Sequence, residues 1–139
     1  MKVAAIQMVS SARLADNLAR AGELIAEAAR GGAELVVLPE YFCLLGQRDT
    51  DKLAIQERFG HGPIQQFLEM AAREHGVWLV GGTLPMTVED CHGAESTGRV
   101  FNSSLAFAPD GRCVARYDKM HLFRFGNGAE RYDEARVLQ

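Results

Sequence analysis

The sequence predicts a layered α/β fold, helices packed on a sheet, on two observations. Short runs of large aliphatic residues alternate with longer stretches whose apolar positions recur every three or four residues, in the order strand, helix, strand, helix, strand. Two further apolar runs then flank Pro109-Asp110-Gly111, a turn in which Pro sets φ and Gly accepts a positive φ, so the chain closes this part with a β-hairpin.

The first strand is read over Lys2 to Met8, a short apolar run closed by Gln7 and a Ser pair and expected to be buried. A helix follows from about Ala12 to Arg30. Leu14, Leu18, Ala21, Ile25 and Ala28 mark its apolar face, and Arg13, Asp16, Arg20, Glu23, Glu27 and Arg30 take the other. Ser11 is the expected N-cap, and Gly31-Gly32 the stop. Glu34 to Leu38, bounded by Gly-Gly and Pro39, reads as a strand buried on both faces. A less regular stretch runs to Gly62. The second helix starts at Pro63, buries Ile64, Phe67, Leu68 and Ala71, and ends at Gly76. Val77 to Thr83 is the third strand. A Gly-rich polar loop is expected from Met86 to Gly98, followed by the hairpin strands Val100 to Ala108 and Arg112 to Tyr117. No linker, repeat or low-complexity tract divides the chain, so residues 1–139 are read as part of one domain.

Composition narrows the partners. The 139 residues are 47% apolar or aromatic and 24% charged, with 15 basic residues against 18 acidic ones and a net charge of -3. No basic stripe stands ready to neutralise phosphates, so nucleic acid is excluded as the expected partner. The longest apolar runs, Val3 to Ile6 and Leu35 to Leu38, are too short for a membrane span or a signal h-region, and a cytoplasmic protein is expected. Cys43, Cys91 and Cys113 form neither an even set nor a CxxC pair, which argues against a disulfide framework and a structural zinc site.

Several residues are candidates for chemistry. Glu40 follows a buried strand at its carboxyl end, where open α/β sheets place their ligand crevice. There it reads either as a partly desolvated general base or as an ordinary exposed strand-end Glu. Lys119, one of only 3 lysines, lies among aromatic and apolar residues in Tyr117-Asp-Lys-Met-His-Leu-Phe123. It reads as a fixed cation for a developing oxyanion or as a side chain snorkelling at a sheet edge. Cys91-His92 lacks further ligands at metal spacing. His61, His75 and His121 are scattered singly. Cys43 could be a nucleophile beside Glu40, but its apolar neighbours Phe42, Leu44 and Leu45 favour a buried, inert thiol.

Taken in order, Val3-Ala-Ala-Ile-Gln-Met8, Glu34-Leu-Val-Val-Leu-Pro-Glu40, Gly81-Gly-Thr83, Phe101-Asn-Ser-Ser-Leu105 with Pro109-Asp-Gly111, and Tyr117-Asp-Lys-Met-His-Leu-Phe123 resemble the nitrilase, or carbon-nitrogen hydrolase, superfamily. Each fragment is weak alone; their order and spacing are specific. The resemblance implies an α-β-β-α sandwich and a Glu-Lys-Cys catalytic set acting on nitriles or non-peptide amides, with no metal or organic cofactor. It implies Glu40 as general base and Lys119 as the lysine that stabilises the tetrahedral intermediate. Glu134, in Arg131-Tyr-Asp-Glu-Ala135, matches a second glutamate that positions substrate and lysine in many members. The short spacers and the segment from Arg124 to Arg131 favour the amidase-like branch, and a homo-oligomer is expected of the complete protein.

One part of the pattern departs from the family. Its nucleophilic Cys follows the lysine, and none of Cys43, Cys91 and Cys113 matches that position. The chain therefore resembles the N-terminal portion of the sandwich, incomplete without the C-terminal half and catalytically inactive by itself. Two other readings are a non-catalytic binding module using an open sheet face, and an enzyme using Cys43 with Glu40.

Overall fold

The computed structural model describes residues 1–89, 95–126 and 131–139 of the chain. Three short strands, β1 (Val3–Ala5), β2 (Leu35–Val37) and β3 (Trp78–Val80), run parallel in that order. Helices α1 (Leu14–Arg30) and α2 (Pro63–His75) connect them and share one face of the sheet. After β3 come β4 (Leu84–Glu89), the long β5 (Glu95–Phe107) and β6 (Cys113–Asp118). β5 is long enough to hold β3 and then β4 along one edge and β6 along the other, every pairing antiparallel. A small separate hairpin, β7 (Arg124–Gly126) with β8 (Arg131–Asp133), precedes a 3-10 turn at Glu134–Arg136.

The layered α/β reading holds, and so do its local stop signals. At the end of α1 Gly31 donates to the Glu27 carbonyl and Gly32 to the Ala29 carbonyl, and Gly76 ends α2 in the left-handed region. The Pro-Asp-Gly turn closes as expected, with the Gly111 N–H on the Ala108 carbonyl. Beneath the helices lies the main core, in which Ile25, Ile64 and Leu68 meet Val36, Leu79 and Leu105, all fully buried.

Several expectations need correction. The first strand is only three residues long and lies at the sheet edge, with Val3 53% exposed, because helices cover one of its faces and, among the described residues, no strand pairs its outer edge. β2 likewise buries Val36 but leaves Leu35 and Val37 half-buried, since the helices lie on a single face. Ser11 does not cap α1. The N-cap is Arg13, which makes no side-chain cap. The Ser11 hydroxyl accepts the Arg13 N–H at 3.1 Å, and the buried Asn17 ties this lead-in down: it accepts from the Ser11 N–H at 2.8 Å and donates to the Ser11 and Cys43 carbonyls at 2.8 Å. The segment expected as a polar loop from Met86 is strand β4 up to Glu89, its pairing supplied by β5 rather than by any local pattern. Cys91 and His92 lie outside the described residues.

The start of α2 is capped across sequence. Glu57 is buried and its carboxylate accepts the backbone N–H groups of Ile64 at 2.6 Å and Gln65 at 3.1 Å, two of the donors a helix leaves unpaired. Gly62 is required there: its φ is 124°, and a Cβ would run into the Glu57 carboxyl group.

The chain's end returns to the sheet. Val100 donates to the Val137 carbonyl at 2.9 Å and accepts from Gln139 at 3.0 Å. Val100, Val137 and Leu138 make a second small core, flanked by Leu53 and Leu122, on the sheet face away from the helices. Pairing puts Val3, Leu35 and Trp78, then Ala5, Val37, Val80, Ala106 and Ala115, in rows on that same face. Trp78 there is 43% exposed and Tyr117 52%.

Candidate active site

β2 delivers Glu40 to the carboxyl end of the parallel strands, as the sequence predicts. Pro39 stops the strand, and the chain turns sharply from there to Leu44, with Phe42 N–H on the Pro39 carbonyl. The turn sits hard against the segment after β3: a Cβ on Gly82 would collide with the Pro39 carbonyl oxygen, and the Gly82 φ of 53° suits glycine. Tyr41 has a positive φ of 55°, the one such non-glycine residue among those described, and its N–H is held by Thr83 Oγ1 at 3.0 Å. A bulky side chain in the left-handed region is strained and persists only where its surroundings fix it.

Three sequence-predicted residues meet here. Lys119 Nζ lies 3.2 Å from Glu40 Oε1 and 3.0 Å from Glu134 Oε2. Lys119 arrives from the end of β6, where its N–H bonds the Asn102 carbonyl at 3.0 Å and keeps the chain hooked to β5. Glu134 arrives from the C-terminal segment and is almost fully buried, its side chain 4% exposed. Glu40 is the open member, with a side chain 48% exposed.

The two carboxylates are held differently. Glu40 Oε1 accepts from Asn102 Nδ2 at 2.8 Å and from Lys119, whereas Oε2 takes no hydrogen bond among the described residues. One oxygen is thus anchored and the other is not. Glu134 is saturated: Oε1 accepts from the Tyr41 hydroxyl at 3.2 Å and Lys119 at 3.2 Å, and Oε2 from the Phe123 N–H at 2.7 Å. Burial works against its charge, but the Phe123 N–H, Lys119 and Tyr41 outweigh burial and hold it below the usual carboxylate range. Burial also opposes the Lys119 charge, and Glu134 with Glu40 more than compensates, raising its affinity for the proton. The Lys119 ammonium is thus held between two carboxylates.

Asn102, Tyr41 and Lys52 complete the cluster, and sequence reasoning gave none of them a role. Asn102 lay inside the quoted Phe101-Asn-Ser-Ser-Leu105; Tyr41 and Lys52 carried no signal of their own. Cys43, by contrast, takes no part. It is buried, its thiol donates to the Thr83 carbonyl at 3.6 Å, and burial pushes its pKa up to about 12. Almost none of it is thiolate at neutral pH, which weighs against an enzyme that uses Cys43 with Glu40. Next to Glu40 opens a recess of about 320 Å³ lined by Met8, Val9, Ser10, Pro39, Tyr41 and Leu45. The described residues hold no cluster of His, Cys, Asp or Glu suited to a metal ion, and no helix among them is long and apolar enough to cross a membrane.

Comparison with known proteins places the chain in a family. Residues 2–138 match the family model described as carbon-nitrogen hydrolase. This chain is a carbon-nitrogen hydrolase family member. It is 40% identical over 120 residues to a deaminated glutathione amidase of Synechocystis sp., covering 86% of this chain and 42% of that protein. It is 34% identical over 138 residues to omega-amidase NIT2-A of Xenopus laevis, covering 99% of this chain and 46% of that protein. Among solved structures, Saccharomyces cerevisiae Nit3, a member of branch 10 of the nitrilase superfamily, superimposes with a TM-score of 0.73 at 30% identity, over 88% of this chain and 45% of that one. The C. elegans NitFhit protein does so with a TM-score of 0.74 at 26% identity, over 99% of this chain and 32% of that one. The chain thus spans less than half the length of these relatives, and its α/β layers are those of the nitrilase fold.

Proposed function

We propose that the protein hydrolyses small non-peptide amides, with Glu40 as general base, Lys119 as oxyanion donor and Glu134 as the carboxylate that positions Lys119. The observation that carries the reading is the Lys119 ammonium held at 3.2 Å and 3.0 Å between an open and a buried carboxylate. The names of the relatives, a deaminated glutathione amidase and omega-amidases, favour amides over nitriles. The nucleophile of this chemistry is a Cys thiolate outside the present residues. Glu40 takes the proton of the Cys thiol and the thiolate so formed attacks the carbonyl carbon; Lys119 stabilises the developing oxyanion, Glu40 returns the proton to the nitrogen as ammonia or an amine leaves, and water deprotonated by Glu40 hydrolyses the thioester to release the acid and the thiol. The step needs no metal or organic cofactor, and the 139 residues alone are inactive. The recess beside Glu40 is of small-molecule size.

The test uses the protein expressed from its natural reading frame, with ammonia release from short aliphatic mono-amides as the readout. Glu40→Gln lowers kcat by about 10² to 10⁴-fold and Lys119→Ala by about 10² to 10³-fold. Undiminished turnover in either variant removes that residue from the mechanism. A second reading, a non-catalytic module docking through its open sheet face, is favoured by the exposure of Trp78 and Tyr117. It predicts a stable complex and no ammonia release. A cytoplasmic location and a homo-oligomeric complete protein belong with the amidase reading, and fractionation and sedimentation test them.

A further inference from the structure

Lys52 stands behind the site, in the 3-10 segment Asp49–Ile55 that follows the irregular part of the chain. Its position is built from both sides. Asp51 Oδ2 accepts the Gln47 and Arg48 N–H groups at 2.9 Å and 3.0 Å, which sets the start of the segment, and Leu53 packs against the second core. The Lys52 ammonium lies 4.6 Å above the Tyr41 ring and 3.1 Å from its hydroxyl. Although it is half-buried, it forms no ion pair within 4.0 Å among the described residues.

The direction of this chain of bonds follows from proton counting. A phenol has one hydrogen, and an ionised Glu134 can only accept. Tyr41 must therefore donate to Glu134 Oε1 and accept from Lys52. A cation behind the phenol oxygen polarises its O–H and makes it a better donor to the carboxylate. We propose that Lys52 is a positioning residue of this site, acting through the Tyr41 hydroxyl to fix the Glu134 carboxylate against Lys119. The inference rests on the reading of Lys119 as oxyanion donor, and it adds to that site a second cation that touches no substrate. It also gives the strained backbone of Tyr41 a purpose, since in that conformation the ring reaches from the Glu40 turn to Glu134.

The charged or titratable groups around Lys52 are Asp49 on its own segment, Glu40 and Tyr41 on the turn after β2, Lys119 after β6, and Glu134. Burial lowers its proton affinity below that of free lysine, and the pull of Asp49, Glu134 and Glu40 offsets this in part. A rise in pH therefore removes the Lys52 charge before that of Lys119, whose affinity is raised.

The experiment is the pH profile of kcat and KM for amide hydrolysis by the protein from its natural reading frame, with Lys52→Met, Lys52→Arg and Tyr41→Phe. Lys52→Met is expected to lower kcat about tenfold at neutral pH with little change in KM, the worth of one hydrogen bond to a charged group. Its deficit shrinks at alkaline pH, where the wild type also loses the charge. Lys52→Arg keeps the charge at all accessible pH, recovers most of the activity and outlasts the wild type at alkaline pH. Lys52→Met and Tyr41→Phe together cost no more than the larger single effect, because both cut one chain. A deficit constant with pH, an arginine variant as slow as the methionine one, or additive losses would each overturn the proposal. If Lys52→Met does not fold, the Lys52→Arg profile decides by itself. A wild type that hydrolyses no amide defeats the amidase reading alone. The carboxyl ¹³C titration of Glu134 then decides this one: its pKa rises in Lys52→Met and Tyr41→Phe if the proposal holds, and stays put if it fails.

Discussion

A buried carboxylate and a half-buried ammonium support each other only while both are ionised. Glu134 titrates below the ordinary 4.5 in the folded protein, so its contribution to stability is full above that value and lost as pH falls through the depressed one. Lys119 titrates above 10.5, so its contribution is full below that value and lost as pH rises through the raised one. The difference in Tm between the protein and its Glu134→Gln variant should therefore be flat across neutral pH and shrink towards both extremes, as differential scanning calorimetry would show. A difference that grows on acidification would mean the carboxylate is not held ionised. Cys43 gives a second residue-scale expectation: iodoacetamide at neutral pH should leave it unmodified until the chain unfolds, by intact and peptide mass. Glu40, Lys119 and Glu134 were legible because they sit in ordered family motifs. Lys52 and Tyr41 were not, because a lone lysine in an aperiodic stretch and a tyrosine's φ leave no trace in residue order.

Elements whose limits are set locally were read correctly, and those set at a distance were not. Pro63, Gly76 and Pro109-Asp-Gly111 act through their own backbone preferences. The cap of α2 instead comes from Glu57, seven and eight residues before the N–H groups it satisfies. The lead-in to α1 is likewise tied to Cys43 through Asn17, and β4 exists because β5 offers it a partner. Glu57→Ala should destabilise the fold by about 2 kcal/mol, as two buried backbone donors lose a charged acceptor. Urea unfolding followed by circular dichroism measures it, and a loss under a few tenths would remove Glu57 as the cap. Gly82→Ala should cost more in activity than in helix content, since the forced movement falls on Pro39 and hence on Glu40.

At the scale of the whole molecule, one sheet face is covered by helices and the other is apolar and open at Trp78 and Tyr117. The 139 residues produced by themselves should consequently self-associate and bind a hydrophobic dye, and Trp78→Lys should reduce both effects. Light scattering checks this, and a monodisperse monomer that ignores the dye would contradict it. The α/β class and the strand order of the first half were legible because periodicity reports burial; the open face was not legible from periodicity, because an apolar strand reads the same whatever covers it.

The site's own bonds join residues far apart along the chain: 62 positions separate Asn102 from Glu40, 79 separate Lys119 from Glu40, and 93 separate Glu134 from Tyr41. Contacts of such separation close late, because the entropy of a long loop is spent before they return anything. Glu40 thus leaves the ribosome long before the ammonium that will face it and the second carboxylate that will hold that ammonium. The charge cluster can form only in a chain translated at least as far as Glu134.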